Sequence, residues 1–219
     1  MRSDLRTPLS VVIGAGGTGG HIYPGLALAD ALRRAVPGAT ISFVGTERGL
    51  ETRLIPDAGY RLHTVDMIPF DPPTRLPPPP FQGRPFGPLF LGPAAARCMG
   101  ALMKSGAQCR AILREQGAQV AVGMGGYPSA PVIVGARMAG LPSLIHESNA
   151  VPGRANRFAA RLTPHIAVAF DRSRAHLPGG TRAFTTGMPI AAALADLDRD
   201  ALRGAARREL GVPDGARLV

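Results

Sequence analysis

The chain is poor in cysteine, in aromatic residues and in long apolar runs, and these absences exclude several classes of protein. Of its 219 residues, two are cysteine, none is tryptophan and 5% are aromatic. Cys98 and Cys109 lie far apart and form no paired motif, so we expect neither a zinc knuckle nor a disulfide framework, and a reducing cytosolic setting is favoured. Because no run reaches about 18 apolar residues, no membrane-spanning helix is predicted.

The charge is strongly unbalanced. The 25 basic and 15 acidic residues leave a net charge of +10, which favours nucleic acid, an anionic membrane surface or a phosphorylated substrate as partner. The basic residues are mostly arginine, are scattered and are not interleaved with aromatic residues. Nucleic acid is therefore the least favoured of the three, and we expect no nucleic-acid partner.

Short apolar strands alternate with helical segments, which is typical of a Rossmann-like α/β fold with a doubly wound parallel sheet. Strands are predicted at 10–14, 40–45, 60–66, 120–124, 143–146, 166–170 and 182–186. Helices are predicted at 21–34, 51–57, 94–116, 129–139 and 151–162, with Ser129 as a helix cap. In such folds ligands bind outside the carboxyl ends of the strands.

A glycine-rich segment, GAGGTGGH at 14–21, joins the first strand to the first helix. A turn of this kind leaves backbone N–H groups without partners, and the helix dipole adds positive potential, so the segment favours a phosphate. His21 stands at its mouth and could act as base, acid or hydrogen-bond donor. The alternatives are a turn that needs glycine only for packing, and a histidine that is merely buried or capping.

Two further polar clusters follow predicted strands. They are GMGGYPS at 123–129 and HESN at 146–149. Taken singly, Glu147 or Asn149 is favoured as a capping or loop residue. Because the carboxyl ends of parallel strands converge on one crevice, the three clusters together predict a ligand site.

The segment 69–93 interrupts the alternation, since ten of its 25 residues are proline. Proline is excluded from helix interiors and central strands, so an irregular excursion is expected. Two interpretations remain open: a surface insertion, or apolar residues flanked by arginines that rest in a lipid interface.

Six motifs in this order resemble the MurG family of glycosyltransferases of bacterial peptidoglycan synthesis: GGTGGHIYPGLALADALR, GTERGLE, IPDAGY, GMGGYPSAP, HESNAVPGRANR and TGMPI. The resemblance covers 8–190. It implies the N-terminal half of a GT-B fold and inverting transfer of N-acetylglucosamine from UDP-N-acetylglucosamine to undecaprenyl-pyrophosphoryl-N-acetylmuramyl-pentapeptide (lipid I), which gives lipid II. It also implies no cofactor, no metal and peripheral attachment to the cytoplasmic face of the plasma membrane.

The resemblance assigns roles to residues that match the family motifs. Catalysis is assigned to His21, as base or diphosphate contact, and to Glu147. Donor binding is assigned to Thr18, Gly19, Gly20 and Asn149, and the acceptor side to Gly125, Gly126 and Tyr127.

The sequence departs from the family at several points. Ser148 replaces a glutamine of the HEQN motif, and Ala191 stands where the family has a phosphate-binding arginine. The expected division is an acceptor-side domain at 1–186, followed at 187–219 by a linker, a helix and the first strand of a largely missing donor domain. The chain alone is therefore expected to transfer sugar weakly or not at all.

Two other functions stay open at this point. Gly14, Gly16 and Gly19 satisfy a dinucleotide fingerprint, with Glu47 on the ribose hydroxyls, which would suit an oxidoreductase. A non-catalytic module that binds the acceptor lipid or a membrane surface is the other possibility.

Overall fold

A seven-stranded, entirely parallel sheet forms the centre of the protein in the computed structural model, which describes residues 8–67, 93–213 and 216–217. The strand order is β3-β2-β1-β4-β5-β6-β7. The strands are β1 (Ser10–Gly14), β2 (Thr40–Gly45), β3 (Arg61–Thr64), β4 (Val120–Gly123), β5 (Ser143–Glu147), β6 (His165–Val168) and β7 (Arg182–Thr185).

Helices cover both faces of the sheet, as a doubly wound fold requires. The helices of the described chain are α1 (Gly19–Ala35), α2 (Glu51–Asp57), α3 (Pro93–Glu115), α4 (Ser129–Ala139), α5 (Arg154–Ala159), α6 (Ala192–Ala195) and α7 (Arg199–Glu209), with a 3₁₀ helix at Asp171–His176; α6 and α7 follow the last strand and bury no residue. The predicted fold class is confirmed, β1, β2 and α2 have the predicted bounds, and α4 ends at the predicted Ala139. The proline-rich segment lies outside the described residues except for Pro93, which begins α3.

The core lies on the two sides of β1, whose five residues are all buried. On one side, Ile13 packs with Ile22 of α1 and Phe43 of β2. On the other, Val12 packs with Cys109 of α3 and Val132 of α4. Burial raises the pKa of the Cys109 thiol to about 12, so this cysteine behaves as a small apolar side chain.

The predicted helix cap at Ser129 is wrong. Ser129 is fully buried, and its hydroxyl donates to the carbonyl oxygens of Gly125 (2.6 Å) and Gly14 (3.2 Å). Pro128 occupies the cap position, and no side chain there bonds the helix. The Ser129 hydroxyl instead joins the loop after β4 to the end of β1.

The order of the strands reverses at β1: β2 and β3 lie on one side of it, and β4 to β7 lie on the other. β1 therefore pairs with both β2 and β4. Crossovers on the two sides of such a switch point diverge, which leaves a crevice at the carboxyl ends of the strands. The glycine-rich segment follows β1 and GMGGYPS overlaps the end of β4, so both loops lie at this crevice. Among the described helices, none is both long enough and apolar enough to span a bilayer.

Candidate active site

The loop between β1 and α1 has fewer open amides than the sequence suggested. The amide of Gly17 donates to Glu51 Oε2 at 3.1 Å, and those of His21 and Ile22 donate to the carbonyl of Thr18. The amides of 18–20 have no acceptor among the described residues. These three N–H groups, at the start of the 17-residue helix α1, form the part of the loop that is free to bind an anion.

Two glycines of the dinucleotide fingerprint are required for internal packing. A Cβ at Gly14 would lie 2.9 Å from Val132 Cγ2, and one at Gly16 would lie 2.6 Å from Glu51 Oε1. Close packing therefore accounts for glycine at positions 14 and 16.

The imidazole of His21 lies against the second glycine loop. A Cβ at Gly125 would approach His21 Cδ2 to 2.8 Å, and one at Gly126 would approach His21 Nδ1 to 3.0 Å. Both glycines also have left-handed φ angles, +94° and +72°. Glycine is needed here because any side chain would occupy the position of the imidazole as well as strain the backbone.

His21 is held by a hydrogen bond and kept neutral by its surroundings. Its Nδ1 lies 3.1 Å from Thr18 Oγ1. Burial lowers the pKa of His21, and the charge of Glu147 partly opposes that shift. A neutral imidazole at pH 7 has the lone pair that a general base needs.

Glu147, at the end of β5, is a buried carboxylate, and both of its oxygens accept hydrogen bonds. It is 1% exposed. Oε1 accepts from the backbone N and Nδ2 of Asn149, and Oε2 accepts from the amide of Gly153 and from Nδ2 of Asn156, all at 2.7–3.0 Å. The carboxylate therefore orders the turn after β5 and orients exposed Asn149. A direct part in catalysis stays a prediction.

Asn156 of α5 lies between this cluster and Gly125 of the second glycine loop, and it was not predicted as a site residue. Its Nδ2 donates to the carbonyl of His146 as well as to Glu147, and lies 3.6 Å from the position of a Cβ on Gly125. Its buried Oδ1 has no hydrogen-bond partner among the described residues. The only signal for it in the sequence was its place in the GRANR portion of a family motif.

Tyr127 separates the glycine-rich loop from a cavity of about 350 Å³. Its ring carbon Cε1 lies 3.0 Å from the position of a Cβ on Gly17. The cavity lies beyond the ends of β2 and β3, and its polar wall includes Arg48 and Lys104, the latter paired with Asp66 at 2.9 Å. The two glycine-rich loops thus meet at His21, and Tyr127 lines both this contact and a cavity whose wall carries two cations, Arg48 and Lys104, and two carboxylates, Glu47 and Asp66.

Comparison with known proteins decides the family. The profile of the glycosyltransferase family 28 N-terminal domain matches residues 11–168. The chain belongs to glycosyltransferase family 28. Its site therefore lies at the crevice of a family 28 N-terminal domain.

Relatives of this family 28 chain carry one name, UDP-N-acetylglucosamine--N-acetylmuramyl-(pentapeptide) pyrophosphoryl-undecaprenol N-acetylglucosamine transferase. The protein of Clavibacter sepedonicus is 42% identical over 92% of this chain and 49% of its own length. That of Paenarthrobacter aurescens strain TC1 is 44% identical over 96% of this chain and 50% of its own. The chain thus spans about half the length of the curated relatives it matches.

Among solved structures, MurG of Acinetobacter baumannii superposes with a TM-score of 0.62 and 27% identity, over 83% of this chain and 47% of that one. The predicted resemblance to the MurG family and the predicted GT-B N-terminal fold are confirmed.

The fit of His21 against Gly125 can be tested by a double-mutant cycle. Gly59 has a similar φ, +77°, but no atom within 4 Å of its Cβ position, so Gly59→Ala measures backbone strain alone, about 1–2 kcal/mol. We expect Gly125→Ala to lower the free energy of unfolding by more than Gly59→Ala does, because the new Cβ at 125 also contacts the His21 imidazole. In a His21→Ala background the cost of Gly125→Ala falls toward that of Gly59→Ala. Equal costs in both backgrounds, measured by urea unfolding, would show that the ring is not the obstacle.

Acid should destabilise the fold before its carboxylates titrate. Burial lowers the pKa of His21, His63 and His146 in the folded state. Below about pH 6.5 the unfolded chain therefore binds more protons than the folded one, and the free energy of unfolding falls as pH falls. Urea unfolding at about pH 7.5 and about pH 5.5 measures the loss. His146→Gln should reduce it, and replacement of exposed His176 by Gln should not.

Proposed function

We propose that this chain forms the acceptor-side half of an inverting transferase that moves N-acetylglucosamine from UDP-N-acetylglucosamine to the N-acetylmuramyl 4-hydroxyl of lipid I. The observation that carries the proposal is a neutral imidazole, His21, beside three open amides at 18–20. A base and an anion site in contact are what such a transfer requires. The names of the relatives supply the donor and the acceptor.

In the proposed reaction, His21 accepts the proton of the acceptor hydroxyl as its oxygen attacks the anomeric carbon of the donor sugar. The new C–O bond forms opposite the bond to UDP, which breaks, so the configuration inverts. The diphosphate leaves with the bonding electrons, and its added charge is stabilised by the amides of 18–20 and by the N-terminus of α1.

The division into a domain at 1–186 and a following segment is part of this proposal. Helices α6 and α7, which follow β7, contain no buried residue within the described chain. Their leucines are exposed, as at Leu194 of α6 and Leu202 of α7. Acceptor contacts are proposed for the face formed by Gly125, Gly126 and Tyr127, and donor contacts for 18–20 and Asn149.

A chimera tests the proposed reaction. This chain, joined to the C-terminal half of the Paenarthrobacter aurescens relative, should transfer labelled N-acetylglucosamine from the UDP-sugar to a lipid I analogue. If His21 is the base, His21→Ala lowers kcat by about 10²–10⁴-fold and leaves the affinity for UDP-N-acetylglucosamine unchanged. His176→Ala, an exposed histidine outside the site, is the matched control. A His21→Ala chimera with the parent kcat would refute the proposal.

We further propose that the chain works at an anionic membrane surface, which its net charge of +10 supports. Helix α3 follows the proline-rich segment and exposes Arg97. The chain should sediment with vesicles that contain phosphatidylglycerol, less so as salt rises, and not with neutral vesicles. Arg97→Gln should weaken binding about fivefold, the effect of about 1 kcal/mol per charge, whereas Arg203→Gln on α7 should not. Equal binding to neutral vesicles would contradict an electrostatic attachment.

A further inference from the structure

His146 makes a hydrogen bond to which the proposed reaction gives no role. It lies on β5 and is 3% exposed, and its Nε2 lies 3.1 Å from the carbonyl oxygen of Gly187. Gly187 is the second residue after β7, and β6 lies between β5 and β7 in the sheet. The His146 ring therefore bonds a segment that leaves the sheet two strands away.

The backbone bends toward β5 at Gly187 to make this contact. The amide of Thr186 still donates to the carbonyl oxygen of Val168 on β6 at 3.0 Å, so the chain follows the sheet up to that residue. Strands two apart in a sheet are separated by about 10 Å, so the next carbonyl meets the His146 ring only because the chain turns across β6. Gly187 has φ +74°, and the position of a Cβ there is open. Glycine is thus required here by conformation and not by packing.

The hydrogen bond also decides which ring nitrogen of His146 carries the proton. A carbonyl oxygen only accepts, so Nε2 must be the donor to Gly187. Nδ1 lies 3.4 Å from the hydroxyl of Ser148, which can donate to it. Burial lowers the pKa of His146, while the Gly187 bond and the charge of Glu147 oppose that shift. The ring is therefore neutral at pH 7, with its single proton on Nε2.

No later hydrogen bond joins the segment after Gly187 to the sheet within the described part of the chain. The hydrogen bonds made by the described residues from 188 onward all stay within that segment. Met188 and Ile190 are 42% and 54% exposed, and α6 and α7 bury nothing. The bond between His146 and Gly187 is therefore the last polar link between the sheet and the departing segment.

We propose that His146 is a positioning residue, which holds the Gly187 carbonyl and so fixes the direction in which the chain leaves the sheet. The carbonyl oxygen of His146 accepts from Asn156, which also donates to Glu147, so the departing segment is linked to the cluster that orients Asn149. In a transferase of two halves, this bond sets how the halves face each other. Only that consequence rests on the proposed function.

Nuclear magnetic resonance of the 219-residue chain tests the inference without any measurement of transfer. Nitrogen-15 spectra should show neutral His146 mainly in its Nε2–H form. Backbone order parameters of Gly187 and Met188 should be about 0.85 in the parent and fall below about 0.6 in His146→Leu, which has a side chain of similar size but no donor. His146→Gln should restore them, because its amide N–H can replace the Nε2–H.

His63→Leu is the matched control. It removes a half-buried histidine of β3 whose buried Nε2 has no hydrogen-bond partner among the described residues, and it should leave the order at 187–188 unchanged. Unchanged order parameters in folded His146→Leu would overturn the inference. So would a parent chain in which neutral His146 is mainly Nδ1–H, a measurement that needs no variant and decides the question if His146→Leu does not fold.

The chimera measures the consequence for the reaction. A sugar donor that contacts both halves binds only while they are aligned, so its apparent affinity falls with the aligned fraction. His146→Leu should raise KM for UDP-N-acetylglucosamine about fivefold, the effect of one lost hydrogen bond, and leave kcat unchanged, and His146→Gln should restore KM. A lower kcat at unchanged KM is what loss of folded enzyme produces, and it would overturn this consequence. Disorder at 187–188 in His146→Leu together with an inactive parent chimera would overturn only the proposed function.

Discussion

The close approach of the His21 imidazole to the backbone of Gly125 and Gly126 is the contact on which the site depends. It brings the loop after β1, the strand at which the strand order reverses, onto the loop after the neighbouring strand β4. Two left-handed glycines are necessary because the imidazole fills the space that their side chains would need. The partly buried ring loses solvation, which keeps it neutral and suited to accept a proton.

Two buried carboxylates, Glu147 and Glu51, stabilise the loops around this contact. Glu147 binds the turn after β5 through Asn149 and Gly153, and Glu51 binds the first glycine loop through Gly17. An unpaired buried charge would cost several kcal/mol, whereas these accept three or four hydrogen bonds each from nearby donors. Both are therefore suited to hold backbone in place, and the open amides at 18–20 are what remains of the first loop for a ligand.

The sequence alone was sufficient for the class of fold and for the approximate place of each strand, whereas α5, predicted at 151–162, is limited to Arg154–Ala159. Alternating apolar strands and amphipathic helices carry that information locally, and β1, β2 and α2 begin and end where the pattern predicted. Convergence of the three polar clusters followed from parallel topology alone, because all carboxyl ends of such a sheet lie on one edge. The motifs also identified His21, which the structure places at the centre of that edge.

Tertiary structure decided which groups at that edge are available to a ligand. Local pattern suggested that Ser129 caps α4 and that the first glycine loop leaves its N–H groups without partners. In the structure, Ser129 bonds Gly14 and the Gly17 amide bonds Glu51, both of which are distant in the chain. Glu51 and Asn156 could not be assigned from the sequence, since a carboxylate or amide in a helical segment looks the same whether it faces solvent or a neighbouring loop. Local composition determines which elements form, whereas the partner of a buried polar group depends on contacts between distant segments, which exist only once the sheet has assembled.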